Sequence, residues 1–190
     1  MTDETDETLF EQARSGAEAS FAALVQRYER PLFNYLRRFL GDASDAEEVF
    51  QETFLKVHLH QDRFRSGARF KPWLYQIATN QARDRLRYRR RRRFVSLFTP
   101  APADAATGLA DTLAAPGPTP DAAATEAETR DRLAKAVAAL PEKQRAVFLM
   151  ARYEDMPYGE IAQALGIPEG TVKSRMNKAV KTLLAALDKT

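Results

Sequence analysis

Apolar residues recur at helical spacing along much of this chain, and the spacing divides it into helices of ordinary length. Phe21, Leu24, Val25, Tyr28, Leu32, Tyr35, Leu36 and Phe39 form one stripe, which Gly41 ends and Pro31 is expected to kink. A short helix precedes it around residues 9–14, behind an acidic arm. Ser44, Asp45, Ala46 and Glu47 read as a capping box opening a helix that runs to about His60. Its core side is Ala46, Val49, Phe50, Thr53, Phe54 and Val57. Pro72 starts a further helix with Leu74, Ile77, Ala78 and Leu86 on its buried side. Near the C-terminus, Ile161, Ala162 and Leu165 lie on a helix stopped by Gly166. Ile167 and Pro168 then turn the chain into another, with Val172, Met176, Ala179 and Leu183 buried. The pattern predicts an all-α protein.

Between these periodic stretches, residues 94–125 read as a tether. Pro100, Pro102, Pro116, Pro118 and Pro120 block helix there, and the alanine, glycine and threonine around them offer little to bury. Two small helical domains, 1–93 and 126–190, are therefore expected on either side of a flexible linker.

Composition removes several function classes. With 190 residues and no cysteine, the chain has no disulfide, zinc finger or catalytic thiol. His58 and His60, at i and i+2 of a helix, point apart, so no metal site is expected. No phosphate-cradling glycine loop or nucleophile elbow occurs, so neither an enzyme nor a cofactor is expected. No stretch approaches the ~20 apolar residues of a membrane span, and the acidic start is the reverse of a secretory signal. A cytoplasmic protein is the expectation. Net charge is only +3, but it is unevenly spread.

The polar faces carry the candidate chemistry. Glu48, Gln51, Glu52 and Leu55 fall at i, i+3, i+4 and i+7, an acidic strip bearing one leucine. Such a strip is either a solvated face or a docking surface for a basic partner. The loop at 62–70 mixes arginines with Phe64 and Phe70. Flat guanidinium and aromatic faces suit an unstacked base, although the two phenylalanines can equally anchor the loop to the core. Gln76, Asn80, Arg83 and Arg87 share one face of the next helix, which ends in the uninterrupted run Arg89–Arg93. Amides read base edges and arginines hold phosphates, whereas a solvated tail or localisation signal is the bland alternative. Residues 158–183 read as a helix-turn-helix, with Thr171, Lys173, Ser174, Arg175, Asn177 and Lys178 on its open side. The alternative there is a helical hairpin with a solvated basic face.

Three stretches in order, DAEEVFQETFLKVH, FRSGARFKPWLYQIATNQARDRLR and LPEKQRAVFLMARYEDMPYGEIAQALGIPEGTVKSRMNKAVKTL, together resemble the extracytoplasmic-function class of bacterial sigma factors. The resemblance implies promoter-specific transcription initiation with core RNA polymerase. It makes Glu48, Gln51, Glu52 and Leu55 the docking helix for the clamp helices of the largest polymerase subunit. It makes Arg63, Phe64, Arg65, Phe70 and Lys71 part of a pocket for a base flipped from the proximal promoter element. Trp73, Gln76, Asn80, Arg83 and Arg87 would then belong to the helix that opens and reads that element. In the second domain it implies phosphate contacts for Arg145 and Tyr158. Thr171, Lys173, Ser174, Arg175 and Lys178 would read the distal element in the major groove.

The linker bears on this picture. The two promoter elements lie roughly 70 Å apart. A flexible coil of this length spans only ~30 Å on average, with an extended limit of ~100 Å. Free of polymerase, the protein should therefore be compact or heterogeneous and bind promoters poorly. His58 stands where the family often has tryptophan, and the chain ends soon after Leu187, so regulation is expected from a separate anti-sigma factor. An autonomous DNA-binding activator or repressor is the other reading, but no heptad or second apolar face is present for the dimerisation it would need.

Overall fold

Each helix end has a local cause in the sequence. In the computed structural model, residues 4–65, 67–96 and 120–188 are described, and their regular elements are eight α-helices and one 3-10 turn. The first half holds α1 (Asp6–Arg14), α2 (Glu18–Leu40), α3 (Ala43–Leu59), the 3-10 turn Gln61–Arg63 and α4 (Phe70–Ser96). The second holds α5 (Pro120–Ala139), α6 (Glu142–Tyr153), α7 (Tyr158–Leu165) and α8 (Glu169–Leu187). Gly41 and Gly166 close α2 and α7 in the left-handed conformation, at φ 73° and 62°, as expected of glycine at these stops.

Three boundaries differ from the sequence expectation. The cap of α3 is Asp42, whose carboxylate accepts the Asp45 N–H at 2.8 Å, and Ser44 already lies within the helix. An N-cap needs extended backbone, which Asp42 has at φ −144° and ψ 132°. Helix α4 starts at Phe70, two residues ahead of Pro72, because a proline in the first turn forfeits no intrahelical bond. Of the predicted tether 94–125, residues 97–119 lie outside the described residues. Its two ends are helical, α4 continuing to Ser96 and α5 opening on Pro120, a favoured first helical residue. Helix α2 continues through Pro31.

In the first half, α1 and α3 pack on α2, and α4 packs on α3. Tyr35 and Tyr75 sit fully buried at the centre, their ring centroids 5.1 Å apart. The Tyr35 hydroxyl and Thr79 Oγ1 satisfy each other at 2.8 Å, so neither polar group is stranded in the core. In the second half, Ala146 to Met150 are buried at five consecutive positions of α6. A helix apolar on every side must be covered on every side. Helix α8 covers one side of α6 and α2 of the first half covers another.

The two halves therefore close on one another. Helix α7 lies against α4 and α6 against α2, and buried residues from Leu9 to Leu183 form one continuous apolar cluster. This is the compact alternative of the two that the linker length allowed.

Candidate nucleic-acid interface

The acidic strip is open on α3. Glu48, Gln51, Glu52 and Leu55 are all exposed, and Leu55 is joined by Leu59 one turn on, the two being 58 % and 62 % exposed. The sequence reading ends the strip at Leu55, although Leu59 four residues on shares its face. The strip is braced from α4. Arg85 bridges Glu48 at 2.6 Å and Asp45 at 2.7 Å, and Arg89 reaches Asp45 at 2.8 Å. Gln81 donates to Glu52 at 2.9 Å and accepts from Lys56 at 2.6 Å. One helix thus supports the strip on its back while carrying the amide and arginine face elsewhere.

The loop before α4 is anchored by aromatic packing. Phe10 of α1 is fully buried, with its ring centroid 4.9 Å from Phe64, 5.0 Å from Phe70 and 5.4 Å from Trp73. Phe64 and Phe70 are themselves 4 % and 0 % exposed. In this arrangement both rings anchor the loop, as the second of the two readings has it, and neither presents a free face to a base. Trp73 and Lys71 are half-buried, and Arg63 and Arg65 remain exposed. Glu7 completes the anchor: its carboxylate accepts the Phe70 N–H at 3.0 Å, capping α4 from a distant helix, and lies 3.5 Å from Arg69. No sequence signal marked Glu7 or Phe10, because both act across a long separation in the chain.

Along α4, Asn80 and Arg87 are exposed and Gln76 and Arg83 half-buried. Arg83 of this face, and Arg69, Lys71 and Tyr75 around the start of the helix, meet groups of the second half. Arg83 Nε lies 3.2 Å from Glu142, and Arg69 lies 3.5 Å from Glu160. Lys71 Nζ donates to the Glu154 carbonyl at 2.7 Å, and the Tyr75 hydroxyl donates to the Glu154 carboxylate. Burial pushes the Glu154 carboxyl up, while the Tyr75 hydrogen bond, Lys71 and Arg38 pull it back. Burial and the same carboxylate push the Tyr75 phenol up, which keeps it a donor. Within the arginine run, Arg89 is held by Asp45, and Arg90, Arg91 and Arg92 are exposed.

The helix-turn-helix presents its open side as the spacing predicts. On α8, Lys173, Ser174, Asn177 and Lys178 are exposed and Thr171 and Arg175 half-buried, with Val172, Ala179 and Leu183 inside. Tyr158 is half-buried at the start of α7. Arg145 departs from the pattern. It turns inward to donate to the backbone carbonyls of Phe39 at 2.6 Å, Leu140 at 2.9 Å and Ala138. Burial pushes its guanidinium down, and its Nε has no hydrogen-bond partner. In this closed arrangement Arg145 joins the end of α5 to the end of α2 and does not face a phosphate.

Known proteins share this organisation. Residues 24–92 match the family model for sigma-70 region 2, and residues 130–183 match that for sigma-70 region 4. The RNA polymerase sigma-H factor of Pseudomonas aeruginosa is 32 % identical over 187 residues, covering 98 % of this chain and 96 % of that protein. The extracytoplasmic-function sigma factor SigW of Bacillus subtilis is 29 % identical over 174 residues, covering 90 % of this chain and 91 % of that one. Among solved structures, CnrH in complex with the cytosolic domain of CnrY is similar at a TM-score of 0.71 and 26 % identity, over 97 % of this chain and 98 % of that one. An acidic strip with an exposed leucine, an amide and arginine face and a helix-turn-helix thus follow one another in the order of regions 2 and 4, and the chain belongs to the extracytoplasmic-function class of RNA polymerase sigma factors.

Proposed function

We propose that the protein binds core RNA polymerase through α3 and directs initiation at promoters read by α4 and α8, under the control of an anti-sigma factor. Glu48, Gln51, Glu52 and Leu55 dock on the polymerase, with Leu59 extending the apolar end of the strip. Arg63, Arg65, Lys71, Trp73, Gln76, Asn80, Arg83 and Arg87 serve the proximal element, held in place by the Phe10, Phe64 and Phe70 cluster. Thr171, Lys173, Ser174, Arg175 and Lys178 serve the distal element, and Arg145 and Tyr158 join them on phosphate once the domains part. The protein works by binding, in the cytoplasm, and catalyses nothing itself. One observation carries the reading: a single chain presents an open acidic-leucine strip beside two separate cationic, hydrogen-bonding helix faces. A repressor has no use for the strip.

Reconstitution tests it. With bacterial core polymerase and a randomised promoter library, the protein is expected to select templates carrying two elements about two helical turns apart. A folded protein that leaves core polymerase unbound would sink the reading. The distal helix has its own signature. Lys173→Ala with Lys178→Ala should lower the slope of log affinity against log salt for duplex promoter DNA by about 2. Preference for the distal element should relax as well, because both lysines belong to the set that reads it.

A further inference from the structure

The residues just ahead of α4 cannot cap their own helix. Gly67 and Ala68 have no polar side chain, and the Arg69 guanidinium only donates. The first N–H groups of a helix need acceptors, and an ordinary N-cap residue supplies one from the chain immediately before. Here the acceptor comes from 63 residues away: Glu7 of α1 takes the Phe70 N–H at 3.0 Å. Helix α1 is itself fixed by the residue beside Glu7. Asp6 accepts from Arg27 at 2.5 Å and from the Tyr28 hydroxyl, both on α2. Burial and that carboxylate push the Tyr28 phenol up, which keeps it a donor. The Tyr28 ring in turn lies 5.7 Å from that of Phe70.

Two adjacent carboxylates thus tie α1 to both of its neighbours, Asp6 to α2 and Glu7 to α4. The ties differ in what they do. Asp6 and Phe10 hold α1 by buried contacts, so their loss loosens the fold. The Glu7 side chain is 37 % exposed, and its ion pair with Arg69, itself 66 % exposed at 3.5 Å, contributes little. What Glu7 supplies is direction. Its bond to the Phe70 N–H fixes how the first turn of α4 is rotated. That turn carries Lys71 and Trp73 and receives the loop bearing Arg63 and Arg65.

We propose that Glu7 is a positioning residue for base capture: by capping α4 from α1 it sets the orientation of the first turn and of the loop ahead of it, without touching DNA. The role of that loop rests on the function proposed above. A base taken out of its stack is held only by contacts already placed for it. A small rotation of Lys71 and Trp73 therefore weakens that one contact and leaves those along the rest of α4 intact. The N-terminal helix acts on promoter recognition through a single hydrogen bond.

Holoenzyme reconstituted from the full chain and core polymerase, on a promoter selected from the randomised library, tests this. Each base of the proximal element is replaced in turn by an abasic residue, and the lifetime of the promoter complex is read for each template. Native protein is expected to show one position at which the missing base shortens the lifetime at least about ten-fold. Glu7→Ala should cut that penalty to within about two-fold of the other positions, whereas Glu7→Gln, which keeps an acceptor without the charge, should retain it. Glu11→Ala, one turn along the same helix and bonded to Arg14 at 3.0 Å, should behave as native. Exchange of the Phe70 amide hydrogen in the free full chain reads the bond itself, and should be about ten-fold faster in Glu7→Ala and near native in Glu7→Gln. A penalty that survives in Glu7→Ala overturns the proposal, and so does its loss in Glu7→Gln. An equal drop at every position also overturns it, since that is the mark of a residue needed only for folding. The penalty is a ratio between templates on one holoenzyme, so a fraction of unfolded variant cancels from it. A native holoenzyme with no such position refutes the base pocket and the reading of the loop, and a native position untouched by Glu7→Ala refutes only the role of Glu7.

Discussion

Core RNA polymerase should bind a Gln51→Ala, Glu52→Ala, Leu55→Ala variant at least about 100-fold more weakly than the native chain, a loss of about 2.7 kcal/mol. Leu55 stands 58 % exposed on the strip, and covering such a side chain contributes roughly 1.5–3 kcal/mol when a partner removes it from water. Glu52 and Gln51 add hydrogen bonds worth about 1 kcal/mol each where they find partners. The substitutions touch no buried residue, so thermal stability should stay nearly constant, and alanine favours the helix. Titration of labelled protein with core polymerase reads the affinity, and a melting curve reads the control. Equal affinity for variant and native protein would move the interface away from α3. Leu59→Ala offers a finer reading: at 62 % exposure it should weaken binding alone if the apolar contact extends a further turn.

Phe10→Ala should be the most destabilising single change outside the central helices, by about 3–5 kcal/mol. Its ring is completely buried and touches Phe64, Phe70 and Trp73, so truncation removes the shared centre of a four-ring cluster. Edge-to-face pairs such as that with Phe64, at 77°, add to the loss beyond the buried area. For a chain of this size the melting temperature should fall by roughly 10 °C. Phe10→Leu keeps most of the volume and should lose far less, about 1–2 kcal/mol. Function should fall with stability in a particular way. The loop carrying Arg63 and Arg65 is tied down by Phe64, so proximal-element recognition should weaken below the melting point while polymerase affinity holds. Denaturant unfolding gives the energy, and promoter opening by the reconstituted holoenzyme gives the selective loss. A drop under 1 kcal/mol would mean that α1 is not part of the folded unit.

Much of the local structure could be read from single residues. Gly41 and Gly166 stop their helices because only a residue without Cβ takes φ 73° and 62° freely. Val49, Thr53 and Val57 face inward and Glu48, Glu52 and Leu55 outward because a 3.6-residue period leaves no other division. Capping was harder. Asp42 and Ser44 are both able caps, and the choice between them rests on which one keeps extended backbone. The phenylalanines of the loop were ambiguous for a related reason. A ring that anchors and a ring that stacks on a base have the same composition and spacing, and only the position of Phe10 shows that Phe64 and Phe70 are covered.

By itself the sequence determined most of the helices apart from α5 and α6, their inner and outer faces, the strip on α3 and the open side of α8, all of which follow from residues three or four positions apart. Tertiary structure alone decided what each charged group meets. Arg83 suits a phosphate or a carboxylate equally well, and Lys71 and Arg145 suit a phosphate or a helix-terminal carbonyl. The partners actually found, Glu142, Glu154 and Phe39, come from parts of the chain far away in sequence. Charge and hydrogen-bonding capacity are properties of a residue, but pairing is a property of the folded arrangement, because attraction between two groups depends on a separation that no local pattern specifies.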